Sequence, residues 1–257
     1  MRAAAATLLF LSVLAGAASA QTGQKLDIYL VDVEGGNAVL FVSPTHESLL
    51  MDTGNVGAVA APRDAGRIVD AMTDAGLKQI DHLITPHWHG DHFGGMEELA
   101  KRVTINEYID HGPNVQPGEA ADNFLNKVYP KLIANAKHTV AKAGDRIAIT
   151  GLDARVVTSA NEVIKLPLPG AGKPNPYCSD FKAGDANAED PMSVGIHVTF
   201  GKFRTIHVGD IAKQGEFNLV CRPIASASST CCSDSTMASA ARTRRFSCTR
   251  CIRVSRS

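Results

Sequence analysis

Apolar and polar residues alternate over 26–33, the pattern stops at Glu34-Gly35-Gly36-Asn37, and an apolar run follows over 38–42. An alternating segment and an apolar run separated by a Gly-rich tetrapeptide predict two strands joined by a turn. A third strand is expected at 48–51, ended by Asp52-Thr53-Gly54. Ile68, Val69 and Met72 then recur at helical spacing, which predicts a helix over 63–75, closed by Gly76. A short strand at 82–85 runs into Pro86. The pattern continues with a helix over 96–101, a strand over 105–109, a helix over 119–137, and strands over 146–149 and 154–158. Residues 166–178 hold four Pro and two Gly and are expected as a surface loop. Apolar runs at 194–200 and 203–208, joined at Gly201-Lys202, predict a hairpin ending on Gly209-Asp210. Strands, helix, loop and strands again outline a layered α/β or α+β domain.

The two ends of the chain break this pattern. Met1-Arg2, an apolar stretch over 3–17 and Ala18-Ser19-Ala20 form a signal-peptide layout, with the mature chain expected to begin at Gln21. The protein is therefore expected to be secreted or periplasmic, with no stable membrane anchor after cleavage. Residues 222–257 carry seven Arg, nine Ser, four Thr and four Cys, and no apolar periodicity. They are expected as a disordered basic tail, as a nucleic-acid or membrane arm, or as an out-of-frame translation, which leaves 21–221 as the folded domain.

Composition changes the picture mainly through charge. The chain is formally neutral, yet 21–221 holds 18 basic and 25 acidic residues. A body about seven charges negative argues against a nucleic-acid partner, because it repels a phosphate backbone. Within the body stand two cysteines, Cys178 and Cys221, either joined in a disulfide or buried as separate thiols.

The chemistry concentrates in Thr85-Pro86-His87-Trp88-His89-Gly90-Asp91-His92-Phe93-Gly94-Gly95, expected as a loop at a strand end. Imidazole nitrogens with a carboxylate suit a borderline divalent ion such as zinc, with manganese or iron as alternatives. Four donors exceed what one open catalytic site uses, so two ions are expected. In an extended turn His87 and His89 would share one ion, while Asp91 and His92 reach the other. His46, His82, His111 and His138 stand alone and are expected in ordinary core or surface roles.

His87-x-His89-x-Asp91-His92 resembles the signature of the metallo-β-lactamase superfamily. Asp52-Thr53-Gly54 and Gly209-Asp210 are similar to that family's motifs before and after the metal loop. The stretch from Asp32 to Ala38 resembles, more loosely, the branch containing the hydrolase domain of competence-type DNA-uptake channels. The resemblance implies an αββα sandwich, C-terminally truncated, with two divalent ions at one edge of two facing sheets. It implies that Asp210 bridges the ions and that Asp52 holds the metal loop from behind. It implies a third donor to the first ion within 187–193, where no His occurs and Asp190 is the nearest candidate. His197 and His207 fall inside the hairpin strands and are expected to pack.

The implied activity is an exported dinuclear hydrolase acting on an ester, amide, lactam or phosphodiester of a small-molecule or oligomeric substrate. The ions would share a bridging hydroxide, with Asp91 as the catalytic carboxylate that orients the water or passes on its proton. A phosphodiesterase or nuclease of the same fold and a non-catalytic truncated remnant are the alternatives. The family's last His ligand, expected after Asp210, does not occur. Read one frame over, the tail can encode Val-Asp-Val-Leu-Leu-Gly-Leu-His-His-Gly, with a frame change expected between Asn218 and Ser226.

Overall fold

The computed structural model describes residues 24–168, 171, 175–182, 184–221, 231–232 and 250–255. The expected signal segment, 1–20, lies outside them. In chain order the elements are β1 (Lys25–Leu30), β2 (Val39–Val42), β3 (Ser48–Met51), α1 (Ala60–Asp74), β4 (Gln79–Ile80), β5 (His82–Ile84), α2 (Gly90–Phe93) and α3 (Met96–Ala100). There follow β6 (Thr104–Ile105), β7 (Glu107–Asp110), α4 (Glu119–Lys127), α5 (Tyr129–Ile133), β8 (Lys137–Val140), β9 (Arg146–Ile147), β10 (Asp153–Ser159) and β11 (Glu162–Val163). The last are β12 (Gly195–Phe200), β13 (Phe203–His207), α6 (Lys213–Val220), β14 (Cys231–Cys232) and β15 (Arg250–Ser255).

Two sheets carry the fold. The first has the order β15-β1-β2-β3-β5-β7-β8, antiparallel up to β3 and parallel from β3 to β8. The second has the order β11-β10-β12-β13-β14, with β9 also paired to β10. Alternation sorts the side chains of the first sheet between two cores. Leu26, Ile28, Val39, Phe41, Leu49, Met51, Ile84 and Ile109 face the second sheet, where Val156, Ile196, Val198 and Phe200 meet them. Tyr29, Leu40, Leu50, Leu83 and Tyr108 face the other way, onto Ile68, Met72, Met96, Leu99 and Phe124 of the helices. A third, smaller core behind the second sheet joins Val157, Ile164 and Ile211 to Leu219 of α6. Helices, sheet, sheet and helix make the αββα sandwich expected above. A first sheet buried on both faces explains why β2 and β3 read as continuous apolar runs.

The structure corrects several expected elements. The helix expected over 119–137 is broken at Val128, because Pro130 lacks the N–H that would continue the ladder of α4. The strand expected over 105–109 divides between β6, paired to β4, and β7 of the first sheet. The first strand ends at Leu30 instead of running to residue 33. The metal-loop sequence is not extended throughout, because residues 90–93 form one helical turn, α2. The segment 166–178 runs, where described, into a 3-10 turn, Pro176–Asp180. Within the tail, β15 pairs antiparallel with β1 and β14 pairs parallel with β13. Among the described residues no helix is long and apolar enough to cross a membrane.

Candidate metal centre

The ends of β3, β5 and β13 meet at one edge of the two sheets, and each ends on a candidate ligand or its support. Past β5 the chain passes Pro86 and presents His87 and His89 before α2 turns Asp91 and His92 toward the same space. This path depends on close backbone approach: a Cβ on Gly94 would lie 1.9 Å from the carbonyl carbon of Asn55 and the nitrogen of Val56. A Cβ on Gly36 would lie 2.6 Å from the carbonyl oxygen of Asp91. The Gly-rich turn after β1 is thus seated against the metal loop and does more than join two strands.

Two groups of donors form. His87 Nε2, His89 Nδ1 and Asp190 Oδ1 make one, with separations of 2.9 Å between the imidazoles, 3.0 Å from His89 to Asp190 and 3.5 Å from His87 to Asp190. His92 and Asp210 join His87 in the other, with Asp210 Oδ2 3.7 Å from His92 Nε2. Asp91 Oδ2 also stands 3.7 Å from His92 Nε2. The structure therefore brings His87, His89, Asp91, His92, Asp190 and Asp210 together.

The donor chemistry fits divalent ions. Ligand atoms about 2.0–2.2 Å from a tetrahedral ion stand about 3.3 Å apart, and the first triad brackets that value. Asp190 Oδ1 and His92 Nε2 are buried and make no hydrogen bond. Buried polar atoms left unpaired in this way are costly in a folded interior unless a partner completes them. The other ring nitrogens of His92 and His87 are engaged from behind, as is usual for metal-binding histidines. His92 Nδ1 lies 2.9 Å from Asp52 Oδ1, and His87 Nδ1 lies 3.1 Å from Ser193 Oγ.

Asp52 is fully buried, with a left-handed backbone of φ 69°, an uncommon conformation for a residue with a Cβ. Asn37 Nδ2 donates to its other oxygen at 2.6 Å. The Thr53 backbone N–H and hydroxyl both donate to the His92 carbonyl, at 2.8 and 3.0 Å. Burial raises the Asp52 pKa, with His92 opposing it. Burial by itself would lower His92, but the carboxylates of Asp52 and Asp210 hold it well above the usual imidazole range. Burial, with three neighbouring histidines, drives His87 far below that range, so its ring is neutral. Asp210 stays below the ordinary carboxylate value because His92 outweighs its burial.

Glu189 and Ser193 are supporting residues that sequence reasoning missed, because each acts on a ligand segment more than 100 residues away and no short motif announces it. Asn37 was read only as part of a turn. The isolated histidines fall into structural pairs: His82 with Glu107 at 2.6 Å, His138 with Asp110 at 2.8 Å, and His111 with Glu189 at 2.6 Å. His46 sits at a left-handed turn position. His197 and His207 are buried in β12 and β13. Cys178 and Cys221 form a disulfide with a Cα–Cα distance of 5.6 Å.

Comparison with known proteins points the same way. The family model described as the metallo-beta-lactamase superfamily matches residues 31–167, just over half of the chain. A hydroxyacylglutathione hydrolase of Rhodopseudomonas palustris is 35% identical over 68 residues, 26% of each chain. A second from the same species is 29% identical over 112 residues, 44% of this chain and 36% of the relative. The chain thus spans about a quarter to a third of the length of these curated relatives. Among solved structures, MEM-A1, a subclass B3 metallo-β-lactamase from a soil metagenome, is 14% identical with a TM-score of 0.45, covering 77% of this chain and 74% of that one. A Cronobacter sakazakii metallo-β-lactamase is 14% identical with a TM-score of 0.43, covering 72% of this chain and 60% of that one.

Proposed function

Because this chain belongs to the metallo-β-lactamase superfamily, we propose that it is an exported hydrolase working with two divalent ions, zinc in first place and manganese or iron as alternatives. The observation that carries this reading is the convergence of His87 Nε2, His89 Nδ1 and Asp190 Oδ1 on one point beside His92 and Asp210. His87, His89 and Asp190 would hold one ion; His92, Asp91 and Asp210 would hold the other. When bound, such ions supply Lewis acidity and lower the pKa of water toward neutrality. Asp91, with a side chain 43% exposed, can orient the attacking water and take its proton. Asp52 and Ser193 fix the rings of His92 and His87, so that Nε2 of each faces inward.

Candidate substrates are an ester, amide, lactam or phosphodiester of a small or oligomeric molecule, with a hydroxyacylglutathione added by the names of the curated relatives. The acidic body favours a substrate other than nucleic acid. The disulfide suits an oxidising compartment, secreted or periplasmic, and N-terminal sequencing of the mature protein is expected to begin at Gln21. We also propose the frame change near Cys221 that supplies His-His-Gly, and nucleotide sequence across codons 215–240 tests it.

The central test is elemental analysis of the purified chain beside His89→Ala and Asp190→Asn, with hydrolysis assayed on a hydroxyacylglutathione, a β-lactam and a generic phosphodiester. Two ions per chain are expected in the parent and about one in each variant, with activity falling in parallel. Unchanged metal content in both variants would refute the assignment of the first triad.

A further inference from the structure

Asp190 is a short arm on a short turn. Its backbone belongs to a three-residue 3-10 turn, Asp190–Met192, outside both sheets. A carboxylate reaches less far than the outer nitrogen of an imidazole, so this turn has to lie close against the chain that carries His87 and His89. Three hydrogen bonds hold it there. Val194 N–H donates to the Pro86 carbonyl at 2.9 Å, Ser193 Oγ meets His87 Nδ1 at 3.1 Å, and Trp88 N–H donates to Glu189 Oε1 at 2.9 Å. The third differs in kind, because it spends a carboxylate that is completely buried.

Glu189 is the neighbour of Asp190, and Trp88 lies between His87 and His89. The bond from Trp88 N–H therefore sets the spacing of the two ligand-bearing segments where the ligands leave the backbone. A buried carboxylate needs several donors to offset its desolvation, and Glu189 has three from two segments, the metal loop and residues 111–115. His111 Nε2 lies 2.6 Å from Oε1, and Val115 N–H donates to Oε2 at 2.9 Å. His111 is itself buried, and its Nδ1 has no hydrogen-bond partner, so the ring carries its hydrogen at Nε2 and donates a hydrogen bond to the carboxylate. Trp88 Nε1 donates to the Gly112 carbonyl at 2.8 Å, tying the metal loop to the same 111–115 segment a second time.

We propose that Glu189, locked by His111, is the positioning residue that holds the Asp190 turn against the His87/His89 loop and so sets the affinity of the first metal site. The inference rests on the metal reading above and adds to it a residue outside the ligand set. All three partners present N–H groups, so Glu189→Gln keeps the shape but turns one end into a donor facing a donor. His111→Gln keeps a donor toward Glu189, whereas His111→Phe removes it.

The test has two readouts on the full chain. In metal-free protein, amide hydrogen exchange at Trp88, Val115 and 190–194 is expected to accelerate together in Glu189→Gln and His111→Phe, and to be largely restored in His111→Gln. In chelator competition with zinc, the first-bound ion of the same two variants is expected to weaken about 10–100-fold, with the second site changed far less. His138→Phe is the control, since it removes the donor of a comparable pair, with Asp110, from β8, a strand that carries no candidate ligand. Unchanged exchange in Glu189→Gln overturns the proposal. So does altered exchange with first-site affinity within twofold of the parent, or an equal loss of affinity in His138→Phe. A parent chain that takes up no zinc while its Trp88 and Val115 amides are protected overturns the metal reading itself, and the positioning role with it.

Discussion

Single residues at this edge of the sandwich divide into candidate metal donors and those that hold the donors in place. The first kind was legible in the sequence, because His87, His89, Asp91 and His92 lie within six residues and their spacing is local chemistry. Asp190 was legible only as the nearest donor in a window without His. Glu189 acts across 101 residues to Trp88, and Ser193 across 106 to His87, so neither could be found by spacing. His207 gives a residue-scale prediction that does not involve the metals. Its ring is buried edge-on to Phe41, 5.0 Å between centroids, and burial pushes its pKa down to about 4. The folded state thus favours the neutral ring, and the unfolded chain takes up more protons below about pH 6.5. Stability from this group is fully present above that pH and is lost as pH falls toward 4, by up to ~3 kcal/mol. His207→Asn is expected to be less stable at pH 7 but to lose less between pH 6.5 and 4 in urea unfolding of metal-free protein. An equal acid loss in both proteins would show that His207 does not titrate this way.

At the scale of elements, alternation found the strands that face a core and failed where no core is faced. The third strand was placed at its observed limits, and the hairpin of β12 and β13 to within one residue at each outer end. Strand β8 was missed because Lys137, His138 and Val140 are exposed, leaving no apolar period to detect. The turn of β10 into β11 was missed because it is built by Ala160 and Asn161, both at positive φ, without the Gly that usually signals it. The joint between α2 and the loop after β3 carries the element-scale prediction. Gly94 N–H donates to the Gly54 carbonyl at 2.9 Å, and the Cα of Gly94 has backbone against it that no rotamer change can clear. Gly94→Ala is expected to cost upwards of about 3 kcal/mol and to release bound metal, because α2 must withdraw from 53–56. Gly118→Ala, where a Cβ meets nothing within 4 Å, is expected to cost within about 1 kcal/mol. Comparable thermal unfolding of the two variants would mean that the loop has slack the structure does not show.

For the whole molecule, the question is how the side of the second sheet that carries Asp190 and Asp210 stays fixed relative to the first. The first sheet is buried on both faces by two large cores, whereas the core behind the second is smaller and the helix covering it, α6, is short. The Cys178–Cys221 bridge ties the last turn of that helix to the segment before Asp190, closing 43 residues that contain Asp190, Ser193 and Asp210. Phe181 packs on Phe217 beside it, with ring centroids 4.2 Å apart. Closing a loop of that length removes unfolded-state entropy worth up to ~4 kcal/mol by the chain-entropy account. Because the loop contains the first triad's carboxylate and the second triad's Asp210, its release should loosen both groups while leaving His87, His89 and His92 on the first sheet. The Cys178→Ser/Cys221→Ser double variant is therefore expected to unfold at lower denaturant by 2–4 kcal/mol, as an order of magnitude. Reductant should move the parent to the same midpoint and leave the variant where it is. Equal midpoints for parent and variant under oxidising conditions would show that the bridge does not restrain the fold, and the tether between α6 and the Asp190 segment would have to be sought in the packing of Phe181 on Phe217.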